Sequence, residues 1–169
     1  MDNEGFETLV REQKDRVFSY ATMLLRNRAE AQDVVQEAMV RLWQHQDGVE
    51  SAGAPMWLKR TTHNLCIDRL RRRKTRPEVG VEELEATCTD ATPGPDRLAA
   101  SDELGREIEQ ALGKLSVQDR AVLVLREIQR RPYGEIAELL ELPMGTLKAR
   151  LHRAREQLRK KLIRAGVTP

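Results

Sequence analysis

Aromatic residues are scarce in this chain: two Trp, two Tyr and two Phe among 169 residues. A core must then be assembled from Leu, Val, Ile and Ala, within an apolar share of 40%. That suits packed helices better than sheets, which draw on aromatic and β-branched side chains. Cysteine is scarcer still. Cys66 and Cys88 lie far apart with no CxxC pair, so neither a disulfide framework nor a zinc knuckle is expected. His63 and Cys66 stand at i, i+3, but a structural zinc site wants a full tetrahedral set, and the pair reads as a helix-surface coincidence. No apolar run is long enough to span a bilayer, and the acidic start MDNEGFETL is unlike a signal peptide. A cytoplasmic protein without membrane insertion is expected. HExxH, P-loop and nucleophile-elbow motifs are all missing. A helical hydrolase using Asp33, Glu37 and His63 can be imagined, since carboxylates at i, i+4 can hold a metal. Exposed acids on an amphipathic helix explain them better. No catalytic residue, metal or cofactor is expected.

What is present is charge, and it is segregated. The formal net charge is only +2, yet basic residues crowd Lys59 to Arg76 and Lys148 to Arg164, while acids crowd Glu78 to Glu109. Such partition speaks of partners more than the sum does.

Apolar spacing predicts a helix from Phe6 to Leu25, with Phe6, Leu9, Val10, Val17, Phe18, Ala21, Leu24 and Leu25 on one side. RNRA is a turn, and a second helix follows from Glu30 to Gln46 with Ala31, Val34, Val35, Ala38, Met39 and Leu42 inward. Asp33, Gln36, Glu37 and Arg41 form its outward polar ridge. His45 to Pro55 is a loop by its Gly, Ser and Pro content. A third helix, Met56 to Arg73, offers Trp57, Leu58, Thr61, Leu65, Ile67 and Leu70 to the core and ends in RLRRRKTR. Cations suit a helix C-terminus, but so many in succession repel one another by more than the dipole returns. An external polyanion is the easier explanation.

Pro77 to Asp96 is acidic, rich in Pro, Gly and Thr, and without a sustained period, which reads as a flexible linker. Helix resumes from Leu98 to Leu115, with Leu98, Leu104, Ile108, Ala111, Leu112 and Leu115 apolar. Ser116 and Asp119 form a capping box for the next helix, which runs through Val122, Leu123, Leu125 and Ile128 until Pro132 ends it.

Then comes YGEIAELLELPMGTLKARLHRAREQLRKKLIR. GEIAELL is a short amphipathic helix. Pro143 and Gly145 break it, and Thr146 takes the N-cap of a second helix with Leu147, Leu151, Ala154, Leu158 and Leu162 in one stripe. The remaining faces of that helix carry Lys148, Arg150, Arg153, Arg155, Arg159, Lys160, Lys161 and Arg164 against the lone Glu156. Two short helices about a tight turn, the second cationic, is the helix-turn-helix layout. A solvated basic face is the plainer alternative, but such faces usually alternate acid with base.

EAQDVVQEAMVRLW, WLKRTTHNLCIDRLRRRK and YGEIAELLELPMGTLKARLHRAR together resemble the signature stretches of extracytoplasmic-function (ECF, group IV) sigma factors of the sigma-70 family. The resemblance spans nearly the whole chain and implies an all-α fold of two small helical domains joined by a flexible acidic linker. Sigma region 2 would occupy residues 1–76, the linker 77–97 and sigma region 4 residues 98–169. By that resemblance Asp33, Gln36, Glu37 and Arg41 dock on the β′ clamp helices of core RNA polymerase. The C-terminal region meets the β flap. Asn64 and Asp68 fall at the polar positions that hold the minus-ten strand, with Lys59, Arg60, Arg69, Arg71, Arg72 and Arg73 available for phosphates. His45 to Pro55 matches the segment that captures a flipped base, whose unstacking costs a few kcal/mol. The recognition helix would read the minus-thirty-five element through Thr146, Lys148, Ala149, His152 and Arg153, with Arg150 and Arg155 better placed for the backbone. Many relatives are held inactive by an anti-sigma protein, which makes one a candidate partner. A monomer is expected when free. The sequence departs from the family at Glu141, Arg130, Pro132 and Ala149, where small residues, Gly or Ser, are usual. The rival from another class is a stand-alone helix-turn-helix regulator, which would need a dimer interface or effector pocket and would bind duplex DNA alone.

Overall fold

The computed structural model describes residues 1–75 and 103–167. The chain divides into two compact units, 1–92 and 93–169, each described by itself. The expected linker, Cys88 and the stretch 98–102 lie outside the described residues.

The first unit is a three-helix bundle of α1 (Asn3–Leu25), α2 (Arg28–Gln44) and α3 (Ala54–Thr75), each packed on the other two. Asp2 caps α1 by accepting from the Gly5 amide, and Asn27 caps α2 by accepting from Glu30. Arg26, left-handed at φ 53°, closes α1 between them. The chain thus turns at Arg26 and Asn27, the first half of RNRA, while Arg28 and Ala29 already belong to α2. Leu9, Val17, Ala21, Leu24 and Leu25 meet Ala31, Val34, Val35, Ala38 and Leu42, with Leu58, Thr62, Leu65 and Cys66 closing the third side. Burying each large aliphatic side chain contributes about 1.5–3 kcal/mol. Two expectations change here. Thr62, not Thr61, is the buried threonine of α3, with its hydroxyl bonded back to Leu58 O at 2.8 Å. Cys66 is fully buried rather than on a helix surface. The loop 45–55 contains a short 3-10 turn at Gln46–Gly48.

The second unit comprises α4 (Glu103–Gly113), α5 (Val117–Leu123), a π-helical turn (Val124–Ile128), α6 (Tyr133–Leu140) and α7 (Met144–Arg164). No strand occurs among the described residues. Ser116 caps α5 by accepting from the Asp119 amide at 3.2 Å, the forward half of the expected capping box. Ala121 to Leu125 are all buried, a continuous run that α7 covers with Leu147, Leu151 and Ala154. Leu104, expected in the core, is 53% exposed in the first turn of α4.

The bend between α6 and α7 differs from the expected one. Gly145 is ordinary helix; the left-handed residue is Glu141, at φ 54° and ψ 45°. Its amide bonds to Glu138 O and the Leu142 amide to Ala137 O, the paired bonds of a Schellman turn. With α6 closed there, Pro143 enters α7 at φ −57°, and its carbonyl accepts from Leu147. Pro143 is therefore the N-cap and Thr146 an exposed first-turn residue. Proline wins the position because its fixed φ and missing amide cost nothing before a first turn. A β-carbon in the left-handed well costs about 1–2 kcal/mol. Glu141→Gly should accordingly raise the stability of this unit by about 1 kcal/mol in urea melts. A loss would mean that Glu141's own contacts outweigh the strain.

Candidate nucleic-acid interface

Helical spacing puts Asp33, Gln36, Glu37, Val40, Arg41 and Gln44 along one side of α2. Asp33, Gln36 and Arg41 are exposed and Glu37 is half-buried. Arg41 donates to Glu37 at 2.6 Å, an i, i+4 pair that holds both side chains along the ridge. Val40, 54% exposed, sits among these polar groups, and Trp43 is 42% exposed with its ring edge-on to Phe6 at 5.0 Å. Val40 did not stand out in the sequence. The available signal was Val40 falling at i+3 and i+7 from Glu37 and Asp33, on the wet side of an amphipathic helix.

The α3 cations separate into two groups. Arg73 turns inward: its Nη1 donates to Leu25 O at 3.0 Å and its Nη2 pairs with Glu30. It thus caps the C-terminal end of α1 and ties α3 to α2, and burial lowers its pKa. Arg69 lies 3.9 Å from Asp33 and is half-buried. Two of the cations expected on phosphates are therefore also structural, and the crowding inferred from the sequence is relieved from within. Arg71, Arg72 and Lys74 remain exposed, as do Asn64 and Asp68; Lys59 and Arg60 are half-buried one turn earlier. Asn64, Asp68, Arg71 and Arg72 follow at i+4, i+7 and i+8, so one face carries the polar pair and the outward cations together.

Behind that face lies a buried polar cluster. Tyr20 of α1, 3% exposed, places its hydroxyl 2.8 Å from Nδ1 of His63 on α3. Burial holds the phenol well above its usual pKa, pushes the nearby Cys66 thiol up to about 12, and lowers His63 to about 4. All three are neutral near pH 7. No trio of His, Cys, Asp or Glu among the described residues could hold a metal.

On α7, Leu147, Leu151 and Ala154 are buried, and Thr146, Lys148, Ala149, His152, Arg153 and Glu156 stand exposed. The angular division matches the expectation. Arg150 is half-buried. Arg155 is engaged, donating its Nε to Glu127 at 2.7 Å, and that bond raises its pKa. It thereby fastens α7 to the π turn. Around the same turn Arg126 lies over the Tyr133 ring at 4.3 Å and donates to Arg131 O at 2.9 Å. Arg131, buried, donates to Glu135 at 2.6 Å and to Gln129 at 3.1 Å. These contacts hold α6 and α7 against the π turn, while Arg155 itself stays exposed.

A three-helix unit with an outward basic helix end, and a second unit built on a helix-turn-helix, define a two-part DNA-binding protein. The Sigma-70 region 2 family matches residues 9–76 and the Sigma-70 region 4 family residues 105–158. The chain is 35% identical over 171 residues to the ECF RNA polymerase sigma factor SigW of Bacillus subtilis, covering 95% of this chain and 90% of that one. It is 33% identical to SigE of Mycolicibacterium smegmatis, over 92% of this chain, and spans 60% of that longer protein. Among solved structures it resembles Bartonella quintana RpoE bound to the anti-sigma factor NepR (TM-score 0.74, 23% identity, 93% of this chain and 96% of that one). CnrH in complex with the cytosolic domain of CnrY shares the fold at TM-score 0.67 and 24% identity, over 95% and 89% of the two chains. The chain belongs to the ECF sigma factors of the sigma-70 family.

Proposed function

We propose that this chain is a promoter-specificity subunit with no chemistry of its own: it binds core RNA polymerase and directs it to promoters. The observation that carries this most directly is the exposed side of α7. Lys148, Ala149, His152 and Arg153 face away from the buried stripe, on a helix that a Schellman turn and a proline entry present as one half of a helix-turn-helix. A helix so presented fits the major groove, where an Arg on a guanine edge is worth about 1–3 kcal/mol of discrimination. Thr146 and Arg150 lie at the backbone margins. In the first unit, Asn64 and Asp68 hold the minus-ten strand, with Lys59, Arg60, Arg71 and Arg72 on its phosphates and Arg69 and Arg73 sharing that task with their ion pairs. Asp33, Gln36, Glu37 and Arg41 dock on the β′ clamp helices, with Val40 as the apolar centre of the patch. The helix-turn-helix unit meets the β flap. The solved RpoE was captured with the anti-sigma factor NepR and CnrH with the cytosolic domain of CnrY, and we assign an anti-sigma partner to this chain too. No described helix is long and apolar enough to cross a membrane.

Two substitutions test the surfaces separately. Asp33→Ala with Glu37→Ala should lower capture of core polymerase while leaving the helical signal and melting point nearly unchanged, because both acids lie outside the core. Unaltered capture would remove the ridge from the interface. Arg153→Ala, assayed with core polymerase, should cost about 1–3 kcal/mol at one position of the upstream element. An equal loss on every sequence would move Arg153 to the phosphate backbone.

A further inference from the structure

The Tyr20–His63 pair has chemistry that the promoter-binding assignment does not use. A neutral imidazole carries one N–H and one lone pair, and a buried phenol needs an acceptor for its O–H. The Tyr20 hydroxyl has one polar partner among the described residues, His63 Nδ1 at 2.8 Å. The phenol therefore donates to Nδ1, and the imidazole proton resides on Nε2. Across the ring, Nε2 has no hydrogen-bond partner among the described residues, yet it is absent from the polar atoms sealed away from solvent. His63 is half-buried, at the margin between the core side of α3 and its wet side. It directly precedes Asn64 and lies one turn beyond Lys59 and Arg60.

Resting on the promoter-binding reading of α3, we propose that His63 is a further minus-ten contact. Tyr20 holds its ring in one orientation and one tautomer, so that Nε2–H is offered as a fixed, uncharged donor to an acceptor on the promoter strand. The acceptor is either a phosphate oxygen or a base edge, since both present the same chemistry to an N–H. Tyr20 is a positioning residue in this arrangement. An uncharged donor adds a contact without adding counterion release, and this separates it from the arginines nearby.

The test uses the full chain with core polymerase and a fluorescent single-stranded minus-ten oligonucleotide, over a salt series. His63→Phe should weaken binding by about fivefold, the worth of one neutral hydrogen bond, without changing the salt slope. His63→Gln, whose amide nitrogen reaches roughly where Nε2 stood, should recover most of the loss. Tyr20→Phe should show an intermediate loss, because a freed imidazole divides between tautomers. Nitrogen NMR of the unbound wild type should show His63 protonated at Nε2, and Tyr20→Phe should mix the two forms, a change that a purely packing role would not produce. A loss equal on all oligonucleotides assigns the acceptor to phosphate, and one confined to a single base assigns it to that base. If wild type binds and His63→Phe binds equally well, or if NMR finds the proton on Nδ1, the contact is overturned. Should His63→Phe misfold, His63→Gln and Tyr20→Phe decide alone: wild-type affinity in both, or a loss in His63→Gln as large as in an unrelated destabilised variant, overturns it. Failure of the wild type itself to bind would strike the promoter-binding reading instead.

Discussion

Arg120→Met should destabilise the helix-turn-helix unit by about 3–4 kcal/mol, because three hydrogen bonds from one charged group disappear together. Arg120 is only 8% exposed. Its Nε donates to Leu112 O at 3.0 Å, and its Nη2 donates to Gly113 O and Leu115 O at 3.2 Å each. These carbonyls end α4 and the turn after it, where a helix leaves acceptors without intrahelical partners and where a cation also meets the negative end of the dipole. Met keeps much of the volume and fills no acceptor. Lys should restore only part of the loss, since an ammonium cannot span the three oxygens as the planar fork does. Hydrogen exchange at Ala121 to Leu125 reads the effect locally. Promoter binding should fail at the temperature where that protection fails. Protection within 1 kcal/mol of wild type, on the order of one ordinary hydrogen bond, would show that Arg120 is a bystander.

Acidification should unfold the first unit through His63. Its folded pKa is about 4 against an ordinary 6.5, lowered by burial. The unfolded chain therefore takes up a proton that the folded one refuses between those values. Stability is fully present above pH 6.5, falls as the pH drops toward 4, and changes no further from this source below it. The whole loss is about 3 kcal/mol, and about 2–3 kcal/mol of it has occurred by pH 4.5. Trp43 and Trp57, the two tryptophans, both lie in this unit, so fluorescence-detected urea melts at pH 7.5 and 4.5 report it. The pH-dependent difference should shrink by that amount in His63→Gln. An equal acid loss in both proteins would transfer the effect to carboxylates such as Glu30, whose pairing with Arg73 also depends on ionisation.

The helices themselves were legible wherever apolar residues recur at three and four. Leu147, Leu151 and Ala154 mark the buried side of α7, and removing that side leaves Lys148, Ala149, His152 and Arg153 outward. The turns were less so. Composition pointed to Gly145 for the bend, but backbone hydrogen bonds decide where a helix closes, and they place the left-handed residue at Glu141. Arg130, another departure from the family's usual small residue, likewise has a φ of 53°. Both positions carry the conformation for which glycine is suited, so the departures were visible in the sequence while their geometry was not.

Buried arginines were the least legible. Arg73, Arg120 and Arg131 look like surface cations because a guanidinium is costly to bury alone. Arg120 and Arg131 are buried and Arg73 half-buried, each against carbonyls or a carboxylate that apolar spacing does not mark. Tyr20 escaped notice for a related reason: its ring counts as core and its hydroxyl as surface, and only the approach of His63 reconciles the two. Leu104 shows the reverse error, an apolar residue at correct spacing that no described neighbour covers.

Run-off transcription with purified core polymerase on a library of promoter-length fragments tests the central claim most directly. Discrete transcripts should appear only when the chain is added, from start sites sharing two spaced elements, and the chain alone should hold none of those duplexes firmly at the same concentration. Tight retention of intact duplex by the isolated chain, with no association with core polymerase and no transcript, would contradict it.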